Sequence, residues 1–244
     1  MELKGNTILI TGGSSGIGLE LAKRLSETNT VLICGRSLDK LKAAKEQLPK
    51  IDIFQCDVSL ESECERLVSW MNERYPKLNT LINNAAITHV ANFKVDEKAI
   101  EKAEAEIRTN LMAPIRLSKL CMPMLERNES PRLINITTGL VYAPRAIYPF
   151  YNATKAALHS FTQVLRIQLK DSPIAVIEVL FPAVDTPWHK GNAPDIAISV
   201  ENAVNEMISG VEKGKPEVKV DKVKILQTFS RIAPSFAIRK MNSL

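Results

Sequence analysis

The sequence predicts an α/β fold: a doubly wound parallel sheet with helices on both faces. Three observations predict it. Short β-branched, aliphatic runs alternate along the chain with longer stretches of helical period. The strand-length runs are predominantly apolar and lack strict alternation, as strands buried on both faces require. The turn from the first strand into the first helix is rich in glycine. Right-handed crossovers between parallel strands follow, and ligands are expected at the strands' carboxyl ends.

"NTILIT" is the first strand, followed by a helix from Ile17 to Ser26. "TVLIC" precedes a helix from Leu38 to Leu48, and "IDIFQCD" one from Leu60 to Arg74. "TLIN" leads to a long helical stretch around Ala99 to Glu126; "RLINIT" leads to a helix from Tyr151 to Lys170. "IAVIEVLF" is the sixth strand, and "PEVKV" a short edge strand before a C-terminal helical tail over residues 222–244. In that tail Phe229, Ile232, Phe236 and Met241 form an apolar stripe beside Arg231, Arg239 and Lys240, interrupted by Pro234. Packing on the core or on a subunit neighbour is favoured over membrane association. The whole chain, 1–244, reads as one domain.

At 45% hydrophobic and 24% charged residues, the 244-residue chain has ordinary globular composition. Its net charge of +5 comes from 32 basic and 27 acidic residues that are interspersed, a mixed solvated surface rather than a nucleic-acid footprint. Cys34, Cys56, Cys64 and Cys121 have neither CxxC spacing nor a nearby histidine cluster, so neither a metal site nor a redox pair is indicated. Neither a signal-like start nor a run of about 18 apolar residues is found, so the expectation is a cytoplasmic protein without stable membrane insertion.

Chemistry starts at Thr11-Gly12-Gly13-Ser14-Ser15-Gly16-Ile17-Gly18, between the first strand and its helix. Glycines permit the tight turn and let backbone N–H groups approach an anion, and the helix N-terminus adds a favourable dipole. A diphosphate fits there, in a Rossmann-like arrangement. The strict GxGxxG spacing fails, because Leu21 stands where its third glycine would be.

The second strand ends Ile33-Cys34-Gly35-Arg36-Ser37, with no carboxylate at its tip to hold an adenosine ribose. Arg36 offers a planar guanidinium suited to a 2′-phosphate, with Ser37 and Lys40 as further donors, which favours NADP(H) over NAD(H). Farther along, Lys155 lies four residues beyond Tyr151, so both share a helix face. Tyr142 and Tyr148 have no lysine at that spacing. A phenol with a pKa of about 10 is a poor base, and a nearby ammonium is expected to shift it toward the working range. Pro114 cannot donate to the carbonyl of Asn110; the freed acceptor holds a water, or the proline only bends the helix.

Together these stretches resemble the short-chain dehydrogenase/reductase family, with its TGxxxGxG loop, an NNAG-like Asn83-Asn84-Ala85-Ala86 and a YxxxK at Tyr151-Asn152-Ala153-Thr154-Lys155. The resemblance covers nearly the whole chain. It implies cofactor contacts at Asn84 and Ala85 and an adenine contact at Asp57-Val58, although Asp57 also suits a turn into the next helix. It places Thr138 where the family carries a serine, thirteen residues before the tyrosine. Threonine keeps the hydroxyl but adds a methyl, and Thr137 should point to the strand's other side. It gives Asn110 a role in a proton relay through Lys155. It likens Phe181-Pro182-Ala183-Val184-Asp185-Thr186 to the family's PG segment, with Val184 and Thr186 meeting the nicotinamide carboxamide. Trp188 to Ile198 would then cover substrate, and Tyr142, Tyr148 and Trp188 are either an aromatic wall or packing.

The expectation is therefore an NADP(H)-dependent reductase of a small carbonyl compound, or its reverse with an alcohol, assembled as a homodimer or homotetramer. Asn110, Thr138, Tyr151 and Lys155 would be its catalytic set. The alternative is a catalytically silent NADP(H) sensor or scaffold, prompted by the departures at Ala86, Thr138 and Ala183.

Overall fold

The computed structural model describes residues 2–189, 191 and 193–243. Its sheet contains β1 (Thr7–Thr11), β2 (Thr30–Gly35), β3 (Asp52–Gln55), β4 (Leu78–Asn83), β5 (Arg132–Thr138), β6 (Ala175–Phe181) and β7 (Glu217–Lys219). The order is β3-β2-β1-β4-β5-β6-β7, with every neighbouring pair parallel. Strand order reverses between β1 and β4, which opens a crevice at the carboxyl edge.

The helices are α1 (Gly16–Leu25), α2 (Leu38–Gln47), α3 (Glu61–Arg74), α4 (Ala99–Glu106), α5 (Ala113–Glu126), α6 (Pro149–Gln168), α7 (Val200–Glu212), α8 (Val223–Ile232) and α9 (Pro234–Asn242). Alternation along the strands divides the interior into two cores. Ile8, Ile10, Val31 and Ile33 meet Leu21 of α1 and Val204 and Met207 of α7. Leu9, Leu32 and Cys34 face the other way, with Leu67 of α3, Leu117 of α5 and Leu165 of α6. Both sheet faces are thus covered, which is why the strands read as unbroken apolar runs.

Three elements depart from the expectations. The stretch from Ala99 to Glu126 is helical without a break but not α-helical throughout: Ile107–Met112 forms a π-helical turn, where the Ala113 N–H reaches back to the Arg108 carbonyl. Pro114 follows directly in the first turn of α5, within a continuous helical backbone, and has no N–H to offer the Asn110 carbonyl one turn back. Helix α6 begins at Pro149, two residues before Tyr151. Helix α7, which the motif reading passed over, is capped by Ser199, whose hydroxyl accepts from the Asn202 N–H at 3.2 Å.

The stretch from Trp188 to Ile198 is tied down at its far end. The Asp185 N–H donates to the Ile198 carbonyl (2.9 Å) and the Ile198 N–H to the Ala183 carbonyl (3.1 Å). Lys190, Asn192 and the His189 side chain lie outside the described residues. Among the described residues, no helix is long and apolar enough to cross a membrane.

Candidate active site

The glycine-rich turn is braced from two sides. Gly12 and Gly13 donate their N–H groups to the Cys34 carbonyl at 2.8 and 3.3 Å. The Thr11 hydroxyl accepts from the Asn84 N–H (3.0 Å) and the Ala85 N–H (2.9 Å), while Asn84 Nδ2 donates to the Thr11 carbonyl (2.9 Å). Gly12 has φ +66°, and a Cβ on it would lie 2.9 Å from the Ala85 Cα, so both conformation and space demand glycine. Ser15 stands at the N-cap of α1 without a side-chain capping bond. The first-turn N–H groups, which have no intrahelical acceptor, therefore suit an anion.

A cavity of about 740 Å³ runs from this turn along the strand ends. Gly12, Ser14, Ser15, Gly16, Ile17 and Gly18 line its floor; Arg36, Ser37, Asp57 and Val58 line the end by β2 and β3. Asn84, Ala85, Pro182, Val184, Thr186, Tyr151 and Lys155 complete the predicted cofactor set, and all lie on its wall. Asp57 satisfies both readings, since its Oδ1 accepts from the Ser59 N–H at 3.0 Å while the residue faces the cavity. Ser37 caps α2 by accepting from the Lys40 N–H at 3.3 Å.

Thr138, Tyr151 and Lys155 converge at the other end. Thr138 ends β5, and its hydroxyl hydrogen-bonds the Tyr151 phenol, which stands in the first turn of α6. Lys155, one turn later and 2% exposed, donates from Nζ to the Ile136 carbonyl at 2.8 Å; Nζ lies 5.9 Å from the centre of the Tyr151 ring. Thr137 points to the opposite face, where its hydroxyl donates to the buried carboxylate of Glu178, which also accepts from His159 Nδ1 at 2.8 Å.

Electrostatics here differ from the expectation of a lowered phenol. Burial, with the Glu106 carboxylate and Tyr148 adding to it, pushes the Tyr151 pKa up, against a lowering by its bond from Thr138. The same burial pulls Lys155 down to about 8, partly offset by Glu178. Desolvation, which disfavours both charged forms, is the largest cause of each shift. The phenol in the cofactor-free protein is accordingly a protonated acid at neutral pH.

Asn110 is not on the cavity wall. It is fully buried in the π-helical turn, with Oδ1 accepting from the Ile87 N–H (2.8 Å) and Nδ2 donating to the Ile87 carbonyl (2.8 Å) and the Thr154 hydroxyl (3.2 Å). Its side chain clamps the loop after β4 to α6, behind the tyrosine. Nearby, the buried Glu106 accepts from the N–H and Nδ1 of His89 at 2.7 and 2.9 Å.

Of the other tyrosines, Tyr148 joins the site: its ring lies 6.5 Å from Tyr151 and 5.6 Å from Trp188, which is 6.0 Å from Tyr151. The aromatic wall is therefore also packing. Tyr142 instead lines up edge-on with His159 at 5.9 Å. The motif reading missed the wall built by Leu140, Arg145 and the α8–α9 pair; the apolar stripe in the tail was the available signal. It also separated free cysteines that the fold brings together: the Cys56 thiol hydrogen-bonds with those of Cys34 and Cys64, and burial raises Cys121 to about 12. Such thiols are inert.

Residues 6–197 match the family model described as short chain dehydrogenase. The chain is 43% identical to an uncharacterised oxidoreductase, DltE, of Bacillus subtilis, over the whole of this chain and 99% of the relative. Its fold is similar to that of a Burkholderia cenocepacia short chain dehydrogenase in complex with NADP, with a TM-score of 0.86, 23% identity and 99% of each chain covered. It is equally similar in fold to a Burkholderia phymatum short chain dehydrogenase/reductase in complex with NAD, with a TM-score of 0.85, 15% identity and coverage of 99% and 97%. With its glycine turn, crevice and Tyr–Lys helix, the chain belongs to the short-chain dehydrogenase/reductase family of oxidoreductases.

Proposed function

We propose that this chain is an NADP(H)-dependent reductase of a small carbonyl compound. The observation that carries the proposal is the meeting of the Thr138 and Tyr151 hydroxyls above buried Lys155, in the same cavity as the glycine turn. A dinucleotide suits the cavity, because the α1 N-terminus that faces it has no side-chain cap and the turn packs too closely at Gly12 and Gly18 to admit a Cβ, which leaves its backbone open to an anion. Arg36 at the tip of β2 supports the phosphorylated form.

A nicotinamide held beside Val184 and Thr186 would supply the hydride, and the chain's own residues handle the oxygen. Thr138 and Tyr151 donate hydrogen bonds to the substrate carbonyl, stabilising the charge that grows there. Tyr151, kept protonated by burial, delivers its proton as the alcohol forms. Lys155 stands behind the phenol, where its ammonium, favoured below about pH 8, stabilises the phenolate that is left. Asn110 acts through the backbone it clamps, positioning the loop after β4 against α6.

The test is NADPH consumption across a panel of carbonyl compounds by wild type and Tyr151→Phe, with cofactor binding followed separately. Turnover by wild type, lost in the variant while NADPH still binds, is expected. Near-normal turnover by the variant would exclude Tyr151 as the acid; binding without consumption in wild type would mark a silent sensor.

A further inference from the structure

The half of the cavity beyond Tyr151 has a composition the reaction does not explain. Its wall on one side is the α8–α9 pair, contributing Ile225, Leu226, Phe229, Phe236 and Met241. The pair is anchored at the active site. Val223 and Leu226 approach Gly139, and Asn242 accepts from the Ala146 N–H (2.6 Å) and donates to the Pro144 carbonyl (3.0 Å). Ile225, Phe229 and Phe236 line the cavity yet remain 56%, 47% and 51% exposed. Side chains of that size, half open on a cavity wall, mark a surface that an apolar ligand covers.

Charge on this wall is of one sign. Lys222, at the N-terminus of α8, and Lys240, in the last turn of α9, line the cavity, and Arg145 lies over the Tyr148 ring at 5.8 Å. Among the described lining residues the sole carboxylate is Asp57, at the opposite end beside Val58. Neither lysine is within ion-pair distance of an acidic group among the described residues. An apolar trough with cations at its margin binds an amphiphile whose negative group stays at the water boundary while its chain lies on the trough.

We propose that the substrate is an anionic amphiphile: a carbonyl compound with an extended apolar body and a carboxylate or phosphate held by Lys222 and Lys240. The proposal rests on the reductase reading for the word substrate, but the binding site itself does not. The probes are decanoate and its neutral isostere decanamide, titrated against the full chain saturated with NADP⁺ and read by quenching of tryptophan fluorescence. Wild type is expected to bind decanoate about tenfold more tightly, a preference that shrinks with added salt as exposed ion pairs do. The double variant Lys222→Gln/Lys240→Gln is expected to bind the two probes within about twofold of each other, both charges having gone. Equal affinities in wild type, or a preference that survives the double substitution, overturns the proposal. If the preference holds while no oxo acid supports NADPH consumption, the site stands and the reductase reading falls, which separates the two failures.

Discussion

Lys155 makes a stability prediction that is independent of any substrate. Its ammonium is 2% exposed, has one hydrogen bond, to the Ile136 carbonyl, and a pKa pulled from 10.5 to about 8 by burial. At 1.36 kcal/mol per pH unit, that drop corresponds to about 3 kcal/mol. The sign follows from proton linkage. Between about pH 8 and pH 10.5 the unfolded lysine keeps its proton while the folded one has lost it, so the unfolded state binds more protons and stability rises with pH. Below that window the folded protein carries the whole cost of a desolvated ammonium. Lys155→Met removes the titration while retaining most of the buried volume. Urea unfolding of wild type and Lys155→Met should therefore be compared at pH 7 and pH 10.5, where the groups not coupled to Lys155 cancel in the difference. Wild type should gain about 3 kcal/mol relative to the variant across that span. The variant should be inactive at both pH values. A difference that stays flat with pH to within about 0.5 kcal/mol would refute the depressed lysine.

Further outcomes can be checked around it. Thr138→Ser should keep turnover within a few-fold, while Thr138→Val should lose about 100-fold in kcat, the usual cost of one donor to a developing oxyanion; equal rates would make the hydroxyl irrelevant. Arg36→Ala should weaken NADP(H) by about 10- to 100-fold, the equivalent of one charge-assisted pair, and leave NAD(H) nearly unchanged; parallel losses for both would remove Arg36 from phosphate recognition. Gly18→Ala would place a Cβ on the Gly12 carbonyl oxygen and 2.7 Å from Asn84 Nδ2. It should cost about 1–3 kcal/mol in urea unfolding and weaken both cofactors together; a wild-type midpoint with unaltered titration would contradict the packing of the turn.

What could be read without coordinates is what is local in the chain. The apolar runs announce parallel strands because burial on two faces admits no alternation, and "TILIT", "TVLICG" and "RLINITT" all form such strands. The glycine turn and the Tyr151–Lys155 pair depend on spacings of a few residues, so they too were legible. Thr138 was placed by the family resemblance, at the family serine's distance from Tyr151.

Packing alone decided the rest. The clamp by Asn110 on Ile87 joins positions 23 apart, and no short-range pattern encodes it or the π-helical turn at Ile107–Met112 that carries it. The phenol's protonation was misjudged for a related reason. Helical spacing brings the phenol and the ammonium to one face, but their desolvation depends on the tertiary fold around them, with Glu106 and Tyr148 raising the phenol further while Thr138 and Glu178 act against the two shifts. Likewise α8 and α9 look from their sequence like an amphipathic tail with an undetermined partner. Only the fold, by anchoring Val223 against Gly139 and Asn242 against residues 144–146, turns the apolar stripe into a wall of the cavity.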